Sequence, residues 1–418
     1  MNSAAADVSI DWRLHELENG LRLITIRRPG TQLIAVRALL RAGSRYDGRH
    51  RGRAHLLEHL LLAGTKYRTR RQIFATLEEA GGEIQAGTAK EYGTLHLVAI
   101  KEHLPLILDV LSEVLVHPLI SLEDLWREKA VVAKEIFAAQ EKDSYLFDLF
   151  ASALWQRHPF RLPILGETKD LARLRHNHLT DFFQKRYVSQ NCVISICADL
   201  DHEDIIPLIR AAFAPMPQGV KTSPAKVNEP ELTGIRTAFL EKDLNQVHLM
   251  LGVPAVPMGH SDRSALKLAE IILGRGLSSR LHWRLREQEG IVYSVTALAA
   301  FFEDTGYLAI KTACPAQLAE KTIKLILQEW RQLQKRISKE ELARAKGTYL
   351  GTLARQFETN LAVATIFGIE ALLDKIEPFE RALARIQEVT PSQVVKVARR
   401  YLDTEKYVLA YMGPNKIL

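Results

Sequence analysis

Apolar positions along this chain recur at two spacings, and the spacings take turns. ENGLRLITIRR (18–28) has an Asn-Gly turn ahead of alternating apolar and polar residues, which predicts a strand, and LIAVRALLRAG (33–43) predicts a second. RAHLLEHLLLAGT (53–65) then reads as a buried helix, and RQIFATLEEAGG (71–82) as a helix ended by its glycines. Period two returns in GEIQAGT (82–88) and GTLHLVAI (93–100). Two long helical patterns follow, at 101–117 and 122–140, the second opened by Ser121 and Asp124 in the spacing of a capping box. A helix, the strand NCVISICAD (191–199) and the helix HEDIIPLIRAAF (202–213) close this half.

The rest of the chain runs through a similar order. Strands at 237–243 and 247–254 precede a helix at 264–274, then RLHWRLREQEG (280–290) and a strand at 291–301. Helices at 316–334 and 339–356 follow, the latter behind a Ser-x-x-Glu box at Ser338, and PSQVVKVARRYL (391–402) leads into the strand YVLAYMG (407–413). Between the halves, APMPQGVKTSPAKVNEPELTG concentrates prolines in a polar background, the composition of a linker. The pattern predicts an α+β fold of two homologous α/β domains, each a mostly antiparallel sheet packed with helices. The domains are residues 1–213 and 235–418, joined by a linker at 214–234.

Length and composition agree with this division. A chain of 418 residues exceeds what one hydrophobic core serves, and 47% hydrophobic with 25% charged residues is the balance of a globular protein. No apolar run reaches the roughly 18 residues that span a bilayer, so no membrane partner is expected. MNSAAADVSIDWRLHE lacks the charged start and apolar centre of a secretory signal, and Asp7 and Asp11 argue against an organelle transit peptide. Cys192 and Cys197, an odd separation on one strand, point to opposite faces, and Cys314 stands alone. Unpaired core cysteines fit a reducing, cytoplasmic setting. The formal charge of +7 arises partly from RYDGRHRGR (45–53) and KYRTRRQ (66–72), which could bind phosphate backbones or form solvated faces. With no aromatic-interleaved RNA motif or zinc-finger spacing beside them, no nucleic-acid partner is expected.

Candidate chemistry sits in the first buried helix. His55 and His59 are four apart, so on a helix both imidazoles leave one face and can share an ion. Glu58 leans to the same side, within reach of a water held there. The order is H-x-x-E-H, the inverse of the better-known zinc-peptidase motif. Two histidines hydrogen-bonded inside a core would read the same way. A zinc site needs a third protein ligand, and the helix at 122–140 offers Glu128 and Glu135, seven apart on one face. Those glutamates could also form a solvated stripe with Lys129 and Lys134. The second half separates the readings. Aligned by eye, it places Leu266 opposite His55, Ala269 opposite Glu58, Ala345 opposite Glu128 and Thr352 opposite Glu135. The helices recur without the candidate ligands, so helix formation does not require them.

With HLLEH, the distant Glu128–Glu135 pair, LRAGSRYDG before the motif, LLAGT after it and HPFRLPILGET further on, the chain resembles the pitrilysin–insulinase metallopeptidases. Its length and two related halves are similar to the processing-peptidase branch, whose subunits pair into a clamshell. The resemblance implies that His55, His59 and Glu135 bind one zinc ion per subunit, that Glu58 is the general base, and that Glu128 is a carboxylate behind the ligands. It also singles out Arg286 and Tyr293 in LREQEGIVYSV as the pair that holds the substrate carbonyl, facing the zinc of a partner subunit. A peptide substrate would lie as a strand along Gln85 to Thr88, with Gln85, Ala86 and Thr88 as its contacts. Where the family has Asn-Ala this chain has Gln85 and Ala86, which puts substrate choice and rate in question. The implied activity is zinc-dependent endopeptidase action on unfolded peptides inside a chamber, by a homodimer or a heterodimer. The competing reading is a noncatalytic assembly or partner subunit, but such relatives tend to lose motif residues that this chain keeps, and GRGLSSRL stands where their noncatalytic processing subunit has a glycine-rich loop.

Overall fold

The structure is a computed structural model and describes residues 10–141 and 145–417. Asp7, weighed above as an argument against a transit peptide, lies outside the described residues. The first half contains β1 (Asp11–Glu16), β2 (Arg22–Arg27), β3 (Leu33–Leu40), α1 (Arg53–Leu61), α2 (Arg70–Glu79), β4 (Glu83–Thr88) and β5 (Gly93–Ile100). It continues with α3 (Leu104–Val116), α4 (Leu122–Glu141), α5 (Tyr145–Leu154), α6 (Thr168–Arg173), α7 (His176–Arg186), β6 (Cys192–Ala198) and α8 (His202–Phe213). The second half contains β7 (Arg236–Glu241), β8 (Val247–Ala255), α9 (Arg263–Gly274), a π-helical turn at His282–Gln288, β9 (Val295–Phe301) and β10 (Gly306–Cys314). It ends with α10 (Ala319–Leu333), α11 (Lys339–Gln356), α12 (Asn360–Leu372), α13 (Phe379–Glu388), α14 (Pro391–Tyr401) and β11 (Val408–Gly413).

Two compact units result, each built from three stretches of chain. One takes the described residues up to Ala138, Pro163–Ala225 and Gln356–Glu380. The other takes Lys226–Arg355, Arg381 onward and the described part of Ala139–Leu162. In the first unit the strands run β1-β2-β6-β3-β5-β4, with β2 and β6 parallel and every other pair antiparallel. In the second the order is β7-β11-β8-β10-β9, with β7 and β11 parallel and the rest antiparallel. Without β1, the two sheets share one topology.

Each sheet buries both faces. In the first unit Leu56, Leu57 and Leu60 of α1 share a core with Leu95, Leu97 and Cys192, while Cys197 looks to the other side. There Val363 and Phe367 of α12 close over Ile24, Leu39 and Val193. Gly368 permits this approach: a Cβ there would lie 2.4 Å from Leu39 Cδ1. In the second unit α5 does the same work, setting Phe150 and Leu154 among Met250, Tyr307 and Ala410. All three cysteines are free and buried. From 214 to 235 the chain has no helix or strand, yet Thr222 N–H donates to Asn191 Oδ1 in the first unit. In the second, the Glu229 carboxylate accepts the backbone N–H groups of Arg157 (2.9 Å) and His158 (2.8 Å). The Ser338 capping box forms in full, with Glu341 N–H donating to Ser338 Oγ and Ser338 N–H to the Glu341 carboxylate.

Candidate active site

The approach to α1 is fixed before the histidines are reached. The buried carboxylate of Asp47 accepts the N–H groups of Gly52 (2.8 Å) and Ala54 (3.0 Å), satisfying two of the helix's free N-terminal donors. Burial pushes its pKa up to about 7, against the pull of those bonds and of Arg53 and Lys90. Gly52 has φ +77°, and a Cβ there would stand 2.5 Å from the Leu165 carbonyl oxygen, so glycine alone fits. A buried ion pair between Arg45 and Glu91 (3.0 Å), with backbone bonds from Ser44 and Arg45 to Ala89 and Lys90, clamps this loop to the β4–β5 connection.

On α1 the leucines face the core, and His55, Glu58 and His59 share the opposite, partly open side. There α4 brings its two glutamates. Glu135 Oε2 stands 3.7 Å from His55 Nε2 and 3.4 Å from His59 Nε2. Glu128 Oε2 meets the other nitrogen of His59, Nδ1, at 3.1 Å. Glu128 is 1% exposed, so the solvated-stripe reading does not hold for it. Its second oxygen accepts from Arg70 Nη1 at 2.7 Å, with Arg127 Nε at 3.7 Å. Burial and the neighbouring His59 pull the His55 pKa down to about 3, leaving a neutral imidazole with a lone pair to offer.

His55, His59 and Glu135 each offer a ligand atom, and these atoms lie within 4.8 Å of one another. Neighbouring donors of a tetrahedral site with bonds of about 2.0–2.1 Å lie about 3.3 Å apart. The 3.4 and 3.7 Å separations, two imidazoles and a carboxylate therefore fit a zinc ion. His55 Nδ1 is buried and has no hydrogen-bond partner among the described residues, whereas His59 Nδ1 has Glu128 behind it. The two ligand positions are thus unequally supported.

Glu58 is anchored by Thr88, whose hydroxyl donates to Glu58 Oε2. Burial raises the Glu58 pKa, with Glu135 adding to the effect and the Thr88 bond and His59 opposing it. Thr88 ends β4, an edge strand, so among the described residues the side of β4 away from β5 has no strand partner. Gln85 is exposed and registers with His96; Ala86 registers with Leu95 and is half-buried. Gln85 and Thr88, odd and even positions, thus leave opposite faces of β4.

Arg286 and Tyr293 belong to the second unit. The guanidinium lies over the tyrosine ring at 5.2 Å from its centre, and Tyr293 is 81% exposed. The π-helical turn carries Arg286, whose Nη1 lies 3.3 Å from His282 Nε2. Within the two basic runs near the motif, Arg45, Arg53, Arg68 and Arg70 meet internal partners, while Arg49, Lys66 and Arg71 are exposed. Pattern reading did not reach Arg70 or Asp47, because charged residues in such runs look solvated until their partners are placed. No helix among the described residues is long and apolar enough to cross a membrane.

Comparison with known proteins adds to this geometry. A family model described as insulinase (peptidase family M16) matches residues 22–168, and one described as the peptidase M16 inactive domain matches residues 173–349. An uncharacterized zinc protease of Mycobacterium leprae is 30% identical over 95% of this chain and 91% of its own length. Uncharacterized zinc proteases of Rickettsia felis and Bacillus subtilis are 27% and 28% identical, covering 97% and 95% of this chain and 98% and 97% of their own. The crystal structure of a protease from Helicobacter pylori matches with a TM-score of 0.90 at 20% identity, over 96% of this chain and 99% of that one. That of a peptidase M16 inactive domain from Pseudomonas fluorescens matches equally well, at 21% identity over 97% and 99%. At such identities the two structures speak for the fold. The family models and the Mycobacterium leprae relative show that the chain belongs to the insulinase family, peptidase family M16.

Proposed function

We propose that this chain is a zinc-dependent endopeptidase that cleaves unfolded peptides. The observation that carries the reading is the meeting of His55, His59 and Glu135, from two helices far apart in sequence, beside an anchored Glu58. When bound by these three side chains, zinc supplies Lewis acidity and makes water a competent nucleophile near neutral pH. Glu58, with Oε2 held by Thr88, has Oε1 to take a proton from the attacking water and return it to the departing amine nitrogen. The raised pKa of Glu58 suits a group that must both accept and give up that proton. The peptide adds as a strand to β4, through main-chain bonds that tolerate many sequences, with Gln85 and Ala86 beside it.

We assign Arg286 and Tyr293 to the carbonyl oxygen of the scissile bond, reaching the zinc site of a second copy in a homodimer or of another chain in a heterodimer. The exposure of Tyr293 and its stacking with Arg286 support a pair held ready for a ligand. Free, buried cysteines support a cytoplasmic setting. The experiment is Glu58→Gln. The variant should keep its zinc by metal analysis and lose cleavage of a quenched peptide by about 10²-fold or more. Normal cleavage by this variant removes Glu58 from the mechanism; absence of zinc and of chelator-sensitive cleavage in the unaltered chain favours the noncatalytic reading.

A further inference from the structure

We infer that Arg70, in the basic run that follows the zinc motif, is a positioning residue for the metal site, acting through Glu128 on His59. The inference rests on the zinc-site reading above and extends it by one residue. Glu128 is sealed from water, and a buried carboxylate is costly unless a cation and hydrogen bonds compensate it. One of its oxygens faces His59 Nδ1 and the other faces Arg70 Nη1 at 2.7 Å. The next cation, Arg127 Nε, is 3.7 Å away, and Arg127 is already bonded to Asp124. Arg70 therefore provides the short charged contact that fixes the Glu128 carboxylate in its plane.

That plane has a consequence at the metal face of the ring. A carboxylate accepting Nδ1–H from His59 holds the tautomer whose lone pair is on Nε2, the atom 3.4 Å from Glu135 Oε2. Among the described residues His55 has no such support, because none of them bonds its Nδ1. The orientation of the ligand set thus depends unequally on the His59 side, and the chain Arg70–Glu128–His59 provides it. The local fold holds Arg70 in place: Thr69 caps α2 in a full capping box with Gln72, and Arg70 is the first residue of that helix. A guanidinium leaving the first turn of α2 can reach the face of α4 that carries Glu128.

The test compares Arg70→Gln, Arg70→Ala and Arg70→Lys in the full chain by competition for zinc with a chromophoric chelator, with His55→Ala as the reference for a lost ligand. Arg70→Gln and Arg70→Ala should bind zinc about 10-fold more weakly, the lower range for loss of a partner behind a ligand. Arg70→Lys, which keeps one donor and the charge, should remain within about threefold of the unaltered chain. At saturating zinc the neutral variants should recover kcat, which a misfolded site would not. Unchanged zinc affinity in Arg70→Gln overturns the inference alone, as does Arg70→Lys binding as weakly as Arg70→Gln. An unaltered chain that binds zinc no better than His55→Ala overturns the peptidase reading, and this inference with it.

Discussion

α1 and α9 leave the third strand from the end of equivalent sheets, and α4 and α11 follow them at equivalent places in the chain. On α9 the positions that answer to His55, Glu58 and His59 are Leu266, Ala269 and Glu270, all sealed from water. Glu270 is a buried charge, and the chain compensates it with its own cations: Lys267 Nζ at 2.7 Å and Arg275 Nη1 at 3.5 Å. On α1 the corresponding groups are imidazoles and carboxylates with an open side, and the three nearest donors converge without a lysine or arginine among them. One frame thus solves the problem of buried polar groups in two ways. Around Glu270 it supplies an ammonium and a guanidinium from within, and at the corner we propose for the chemistry the place of the cation would fall to a ligand.

The largest effect comes from attacking the frame that both corners share. Each unit closes its second sheet face with a helix that is distant in sequence from most of the unit, α12 in the first and α5 in the second. A chain ending at residue 225 lacks α12 and leaves Ile24, Leu39, Val193 and Cys197 open to water. It should lose cooperative melting and near-ultraviolet circular dichroism altogether. Native-like melting of that fragment would mean that the first sheet does not depend on α12.

Metal removal asks whether the two corners differ in kind. With zinc at about a thousandfold over its dissociation constant, binding contributes about 4 kcal/mol to the unit that holds it. Chelation should therefore lower the melting temperature and speed amide exchange in α1 and α4, while α9 and α11 keep their protection. Equal loss of protection in both corners would break the comparison.

Sequence pattern made the frame legible because most elements bury one face. The Ser338 box and the glycines after α2 are local chemistry and appear where the residues say. β10 escaped because it is a central strand: Tyr307, Leu308, Ala309 and Ile310 are buried in succession, so alternation is lost. α12, NLAVATIFGIEAL, is apolar almost all round, and nothing in such a segment says which sheet it will cover. In the site, the four-residue spacing of the histidines already put them on one face. The role of Thr88 toward Glu58, and the bond from Arg70 to Glu128, depend on loops and caps that bring distant segments together, and periodicity carries no record of those.

The starts of the two helices differ as well. Asp262 at the N-cap of α9 accepts from the Tyr401 hydroxyl and Arg400 near the surface, whereas Asp47 is buried under α1. Since the folded pKa of Asp47 is raised to about 7 from 3.8, the native chain keeps a proton there that the unfolded chain has released. The contribution is complete below about pH 4 and is lost as pH rises to 7, at about 1.4 kcal/mol per pH unit. Asp47→Asn, which cannot ionise, should flatten the melting temperature between pH 4 and 7. A variant with the same slope as the unaltered chain would put the source of that slope elsewhere.

Lys267→Met is the finest cut, because it tests the internal cation without touching the zinc corner. Glu270 would keep Arg275 at 3.5 Å and lose the ammonium at 2.7 Å, so burial would raise its already elevated pKa further. Loss of a sole partner of a buried charge costs about 3–5 kcal/mol, and with one cation remaining about 2 kcal/mol is expected. Glu270→Gln with Lys267→Met should recover most of that loss, since neither charge is then left to compensate. Zinc affinity should be unchanged in both variants. If instead Lys267→Met melts like the unaltered chain, Glu270 does not need its ammonium, and the second corner is stable for reasons of apolar packing alone.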